Sequence, residues 1–475
     1  MFFDNKRLII FELNEVPLKV FDWFLKSRPR SYIARLMTLG TVLETYTEDK
    51  GHLSPWITWP TLHRGVINTE HAIYDFGQNL TAVNADFPPF WDLMTKAGRT
   101  VGLFGSLHTY PVPHDLTNYA FYVPDTFAAG PECFPSRLTA FQEFNLRMVD
   151  QSARNVSRNL PIREAAKFLA SAPGLGLRGA TALKLARQLG AERVNPKRVV
   201  RRRTSQVQIA FDFFLNELRR TRPEIAMFFT NHVASSMHRF WPATFPEDYS
   251  KPFWDETWAS KWNGEIPFAM GEADLQIRDL MKFVESDQRY ALVVVTSMGQ
   301  AAVDDVASLV RTQLNFADLR AFMRLLGIPD DQWRRERAMV PIYMVNVAPR
   351  FTDVFTDRLR QVYINGESLS VILRGEGVFH IKLGQPNLDT KSIKVTYMGR
   401  PVTLLEAGMT NLDIQDEADS NAYHIPQGSL IYYNPSARSL RAARRSVSTL
   451  EFAPAVLRNF AVELPSHMAR PQILR

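Results

Sequence analysis

The chain has 475 residues, 45% of them apolar, 22% charged and 12% aromatic, which excludes a disordered, collagen-like or low-complexity protein and provides for a large buried core. Its 56 basic and 49 acidic side chains leave a net charge of +7. Cys133 is the single cysteine, so an internal disulfide, a CxxC zinc site and an iron–sulfur cluster are all excluded, and a reducing, cytoplasmic location is expected.

The N-terminus, MFFDNKRLIIFELNEVP, carries an apolar run too short for a signal peptide. No later stretch approaches the ~18–20 apolar residues of a membrane span. Residues 7–13 (RLIIFEL) lead into polar Asn14 and Glu15 and then Pro17, the pattern of a buried strand that ends in a loop. Three further runs share it: Arg99–Gly105, Ile225–Thr230 and Tyr290–Thr296. Helix-like stretches such as Phe90–Ala97 and Ala273–Glu285 precede them. Strands alternating with helices predict an α/β fold with a doubly wound, mainly parallel sheet, in which function concentrates beyond the carboxyl ends of the strands.

Two insertions are expected within a single domain of residues 1–475. Residues 141–220 show helical spacing in Ile162–Ala170, Ala180–Leu189 and Val207–Leu218 and read as a helical cap. Residues 362–411 alternate polar and apolar positions around turn signals such as NGES and YMGR and read as a small β-rich insertion. The positive charge gathers at Glu192 to Thr204 and at Arg438 to Arg445. These are either solvated faces or contacts for an anionic partner: a phosphorylated substrate, a membrane surface or RNA. No interleaved aromatics accompany them, so nucleic acid is not the expected partner.

Four polar clusters fall at strand ends or in loops: Glu12 to Glu15, Ser54 to Thr61, Asn231 to His238 and Asn421 to His424. A hydroxyl, several imidazoles and side-chain oxygens converging at one sheet edge can bind an ion and activate a nucleophile.

In order, these segments resemble the alkaline phosphatase superfamily, in particular its type I phosphodiesterase/nucleotide pyrophosphatase branch. RLIIFELNEVP resembles the opening strand and its Asp-Gly loop, and PWITWPTLHRGVINTEHAIYDF the nucleophile loop with its His-Gly-Ile end. MFFTNHVASSMHRFWP resembles the strand ending in Asp-x-x-x-His, YALVVVTSMGQ the one ending in Ser-Asp-His-Gly, and YHIPQGSLIYYNP the segment of the last metal histidine. The resemblance implies an alkaline phosphatase-like fold, two metal ions held by Asp and His, and a Thr or Ser nucleophile.

Carried across by position, the metal carboxylates fall on Asn14, Ala234 and Met298, while His238 and His424 match and His71 falls on the His-Gly-Ile position. Three negative charges are lost from the ligand set, and Met298 is too soft to stand in for a hard ligand. One divalent ion, zinc or manganese, on His238 and His424 with His232 or water as a third ligand is the most the set supports; no ion at all is the alternative. The Thr-Trp-Pro triplet selects Thr58, the expected nucleophile; counting back from Gly65 lands nearer Ser54, which is the alternative. Asn14 would bind a non-bridging oxygen. Glu12 and Glu15 either take over as ligand or general base, or cap the next helix and pair with an Arg. Arg64 offers bidentate hydrogen bonds to an anion or a surface ion pair, and Tyr110, Trp56 and Trp241 are either pocket rim or packing. The expected protein is a hydrolase or transferase acting on a phosphate ester, less readily a sulfate ester. Its substrate would be anionic: a phosphodiester, nucleotide-sugar-like molecule or glycan or lipid phosphate. The alternative is an inactive pseudoenzyme serving as a binding or scaffold module.

Overall fold

A computed structural model describes residues 2–474 except 76, 152–154, 157–166, 169, 171, 173, 305–306, 337–341, 374–376, 384 and 438–443. Most of the helical spacing at Ile162–Ala170 and most of the Arg438 to Arg445 cluster lie outside the described residues. The chain divides into two compact units: one of residues 1–147, 160–307 and 420–475, the other of residues 148–159 and 308–419.

The first unit is built on an eight-stranded sheet. Its strands are β1 (Arg7–Leu13), β2 (Thr41–Tyr46), β3 (Val101–Phe104), β4 (Tyr119–Val123), β5 (Ile225–Thr230) and β6 (Tyr290–Val295), with Leu430–Tyr433 and Ser446–Ser448. From edge to edge the order is Ser446–Ser448, β2, Leu430–Tyr433, β6, β1, β5, β3, β4. The central strands β6, β1, β5, β3 and β4 run parallel, and Leu430–Tyr433 runs antiparallel to both β6 and β2.

Side chains alternate across a strand, and β1 uses both faces. Leu8 and Ile10 join a cluster with Trp59, Leu62, Phe90, Met94 and Val456. On the opposite face Phe11 stacks on Phe228, which meets Phe104 and Phe214. Burial on both faces is why these strands read as unbroken apolar runs. Helices cover the sheet on each side, so the doubly wound α/β reading describes the molecule. Within residues 139–221 the described elements are helical: Thr139–Gln151, Gly179–Val194 and Arg202–Thr221, with a short turn of helix at Pro196–Arg201.

The second unit is mostly antiparallel. One four-stranded sheet orders Ser370–Leu373, Val378–Lys382, Ile342–Val347 and Trp333–Glu336. A second contains Val362–Ile364, Val395–Tyr397 and Arg400–Val402. Asn365–Gly366 and Met398–Gly399 all have positive φ, as tight hairpin turns of this hand require. Phe322, Val345, Phe355, Phe379 and Ile381 form the unit's own core.

Candidate metal and nucleophile site

The carboxyl ends of β1, β5 and β6 lie side by side, and the polar clusters follow them. Asn14 and Glu15 come directly after β1, and Glu15 has a φ of 62°, a left-handed conformation uncommon outside glycine and concentrated at functional sites. His238 lies on the helix His232–Thr244 that follows β5. After β6 the chain forms strand β7 (Gly299–Ala302), antiparallel to Ala422–Ile425, with Gln300 opposite His424.

These elements bring Glu15, His238 and His424 together: their ligating atoms lie within 4.8 Å of one another. Glu15 Oε2 is 3.1 Å from His238 Nε2 and 3.5 Å from His424 Nε2. Ligand atoms on a tetrahedral ion with bonds of about 2.1 Å stand about 3.4 Å apart, so the spacing fits a shared ion. Each ring is oriented from behind. His238 Nδ1 donates to the Ala422 carbonyl and His424 Nδ1 to the Leu53 carbonyl, both at 2.7 Å. With Nδ1 carrying the proton, a neutral ring keeps its lone pair on Nε2, aimed at Glu15.

Glu15 is itself positioned. Asn14 Nδ2 donates to Oε1 at 2.8 Å, and the Gln300 amide donates to Oε2. Burial alone pushes the Glu15 carboxyl up, but His424 and His238 more than reverse this and hold it well below the usual carboxylate range. Burial likewise lowers His424, and the Glu15 carboxylate outweighs it to leave the imidazole raised. The helix after Pro17 has no side-chain cap, so Glu15 is not a capping residue.

Asn14 does not present a free amide. Its Nδ2 group donates to Glu15 and to Asn231 Oδ1, at 2.8 and 2.7 Å, and its Oδ1 accepts from Trp59 Nε1 at 2.7 Å. Three partners use up both hydrogens and the carbonyl, so Asn14 positions Glu15 instead of reaching for a substrate oxygen. His232 also stays out of the cluster. Its Nδ1 accepts from Thr230 Oγ1 at 2.6 Å and its Nε2 donates to the Ala269 carbonyl at 3.1 Å, so both ring nitrogens are committed and burial lowers its pKa to about 4. Glu15, not His232, is the third group beside His238 and His424.

Thr58 lies one turn after Ser54 on the helix Pro55–Arg64, here α1, which Ser54 caps. Thr58 is fully buried; its hydroxyl meets the Ser54 carbonyl at 3.2 Å and Ser297 Oγ at 2.8 Å, a pairing back onto the helix. Ser54 is the N-cap, half-buried, with Oγ accepting from Trp56 N at 3.3 Å. It directly follows Leu53, whose carbonyl holds His424. Arg64 ends the same helix. Ten residues at about 1.5 Å rise put it about 15 Å from Ser54 along the axis. It is buried, bonds Asn84 Oδ1 at 2.8 Å, and burial lowers its pKa to about 10. It therefore lies far from any group held at the other end of α1.

Trp241 is fully buried and donates to Asp248 Oδ2 at 2.8 Å, which makes it packing. Trp56 is buried against Phe127 and His108. Tyr110 is half-buried in the loop after β3. Glu12 accepts from His63 Nε2 and from Ser106 Oγ, both at 2.6 Å, and pairs with no Arg among the described residues. Sequence reasoning missed Gln300, Ser297 and Leu53, and named Tyr423 only as part of the Asn421 to His424 cluster. Tyr423 is 40% exposed and rims the cluster with its ring 5.8 Å from His238 and 6.2 Å from exposed His52. Ser297 and Gln300, within and just after the Ser-Met-Gly stretch that resembles Ser-Asp-His-Gly, carried a motif signal.

The first unit thus defines a class of α/β protein that carries two imidazoles and one carboxylate at the carboxyl edge of a mainly parallel sheet. No family model and no curated protein matches the chain. Among solved structures it is similar to murine ectonucleotide pyrophosphatase/phosphodiesterase 5, at 8% identity and a TM-score of 0.40, over 97% of this chain and 96% of that one. The human ectonucleotide pyrophosphatase/phosphodiesterase 5 gives 10% identity with the same coverage and TM-score. Phosphonoacetate hydrolase from Sinorhizobium meliloti gives 13% identity, again over 97% and 96% with a TM-score of 0.40.

Proposed function

We propose that this protein is a phosphoesterase or phosphoryl transferase in which Glu15, His238 and His424 hold one divalent ion, zinc or manganese, and Ser54 is the nucleophile. The observation that carries the reading is the orientation of both rings: Nδ1 tied to a backbone carbonyl, Nε2 turned to one carboxylate oxygen. The donor set is of the kind that binds zinc or manganese. The ion, when bound, supplies Lewis-acid stabilisation of charge on a phosphoryl oxygen.

Ser54 is favoured over Thr58 because it is half-buried at a helix N-terminus instead of sealed inside the helix. The Trp56 N–H already bonds its oxygen, and that N–H with the helix dipole eases loss of the hydroxyl proton. Asn14 and Gln300 hold Glu15 in place. An anionic phosphate ester is the substrate class that suits such an electropositive, ion-bearing edge, in keeping with the order of motifs that resembles the type I phosphodiesterases.

A second reading, an inactive binding module, draws on Ala234 and Met298, both apolar and fully buried where the resemblance calls for carboxylates. One experiment separates the two. The protein is loaded with zinc or manganese, dialysed, analysed for metal and assayed on bis-p-nitrophenyl phosphate. About one ion per chain with turnover that Ser54→Ala abolishes is the expected result; no retained ion and no turnover leaves the binding module.

A further inference from the structure

The helix Gly179–Val194 is built inside out. Its protein-facing positions are largely polar, with Leu185 and Ala191 half-buried among them: Lys184 pairs with Glu272 at 2.8 Å, Gln188 bonds Glu192 at 2.9 Å and the Arg198 carbonyl at 2.7 Å, and Glu192 pairs with Arg202 at 2.7 Å. Its solvent face carries the aliphatic residues instead. Leu183 is 51% exposed, Leu189 41% and Val194 87%, with Ala182, Ala186 and Gly190 exposed among them. At 100° per residue Leu183, Ala186, Gly190 and Val194 fall on one stripe, and Leu189 lies about 60° outside it, beyond Arg193.

Arg187 and Arg193 border that stripe, and Arg198 follows, exposed, in the turn Pro196–Arg201, which buries Val199 and Val200. None of these three has an ion-pair partner among the described residues, whereas Arg201 is paired with Glu265 at 2.7 Å and Arg202 with Glu192. Unpaired arginines bordering exposed aliphatic side chains form a surface with two simultaneous demands: anions at the rim and an apolar medium at the centre.

We infer that the outward face of the helix Gly179–Val194, with Arg198 beyond it, docks this protein on an anionic lipid membrane surface. A bilayer interface meets both demands, since headgroup phosphates take the guanidinium groups while Leu183, Leu189 and Val194 enter the acyl boundary. RNA meets only the first. Its phosphates gain nothing from aliphatic neighbours, and the face offers no aromatic ring on which a base could stack. The inference stands apart from the reading of the Glu15 cluster and is tested without any activity measurement.

The full chain is sedimented with phosphatidylcholine vesicles, with and without phosphatidylglycerol, across a salt series. The wild type is expected to bind only the anionic vesicles and to be released as salt rises. Arg187→Ala, Arg193→Ala and Arg198→Ala combined should weaken partitioning about 100-fold, at about fivefold per charge. Leu183→Ser, Leu189→Ser and Val194→Ser combined should weaken it more than about tenfold with the unfolding temperature unchanged, because these side chains are exposed. Failure of the wild type to bind anionic vesicles at low salt overturns the inference. So does wild-type binding by the serine variant, or binding of polyuridylic acid without binding of vesicles.

Discussion

His424 and Gln300 face each other across two short antiparallel strands, and both side chains reach the same oxygen of Glu15. Directly opposed residues project from the same face of a strand pair, so one backbone pairing delivers a candidate ligand and the amide that steadies its neighbour. Partners that orient metal ligands typically contribute ten- to a hundredfold in affinity. Gln300→Leu should therefore weaken zinc binding about 10- to 100-fold, and Glu15→Ala or His424→Ala should weaken it further. Isothermal titration of the dialysed protein with zinc measures both; equal affinity in wild type and Glu15→Ala would remove Glu15 from the ligand set.

Ser54 and Thr58 have opposite expected phenotypes. Ser54→Ala removes the proposed nucleophile and an N-cap, so it should abolish turnover of an aryl phosphodiester at a stability cost of about 1 kcal/mol. Thr58→Val keeps the buried shape and removes a hydroxyl bonded to Ser297 and to its own helix, at about 1 kcal/mol, and should retain turnover. Paired kinetics and denaturant titrations test this; an inactive Thr58→Val beside an active Ser54→Ala would reverse the assignment.

Glu12 and His63 form a sealed pair behind the site, 2.6 Å apart and both fully buried. Burial lowers the pKa of His63 while Glu12 opposes the shift, and the two side chains share one hydrogen bond. His63→Leu would leave Glu12 with Ser106 as its remaining side-chain partner among the described residues, and a buried polar group that loses a hydrogen bond costs about 1–3 kcal/mol. Urea unfolding should register a loss of about that size.

Asp125 predicts a pH dependence. Burial raises its pKa from 3.8 to about 6, so the folded state favours the protonated acid. Its contribution is fully present below the unfolded pKa and is lost as pH rises through about 6, amounting to about 3 kcal/mol. Asp125→Asn keeps an acceptor for the Phe127 amide, now 2.8 Å away, without the charge. The variant should therefore gain thermal stability over wild type at pH 8 and gain little at pH 4; a gain that does not grow with pH would refute the assignment.

Much of the sheet was legible because the central strands are buried on both faces. The apolar runs at residues 7–13 and 225–230 coincide with β1 and β5, and the runs at 99–105 and 290–296 contain β3 and β6. The shorter strand Leu430–Tyr433 and its antiparallel pairing were not legible, since nothing local tells a four-residue apolar run which neighbour it will join. Among the polar residues, His238 and His424 stood out by their order along the chain. His232 looked equivalent to them, and only its two hydrogen bonds, to Thr230 and Ala269, separate it.

What the sequence alone determined is the periodic burial that builds an α/β sheet and the stock of imidazoles, hydroxyls and carboxylates placed just past the strand ends. Which of those groups meet was decided by the tertiary structure. The carbonyls of Ala422 and Leu53 select the Nδ1 protons of two histidines, and the left-handed turn at Glu15 aims its carboxylate between them. The reason is physical: each ring is oriented by a backbone acceptor nearly 200 residues or more away, at 184 positions for His238 and 371 for His424, and no local pattern encodes a partner at that separation.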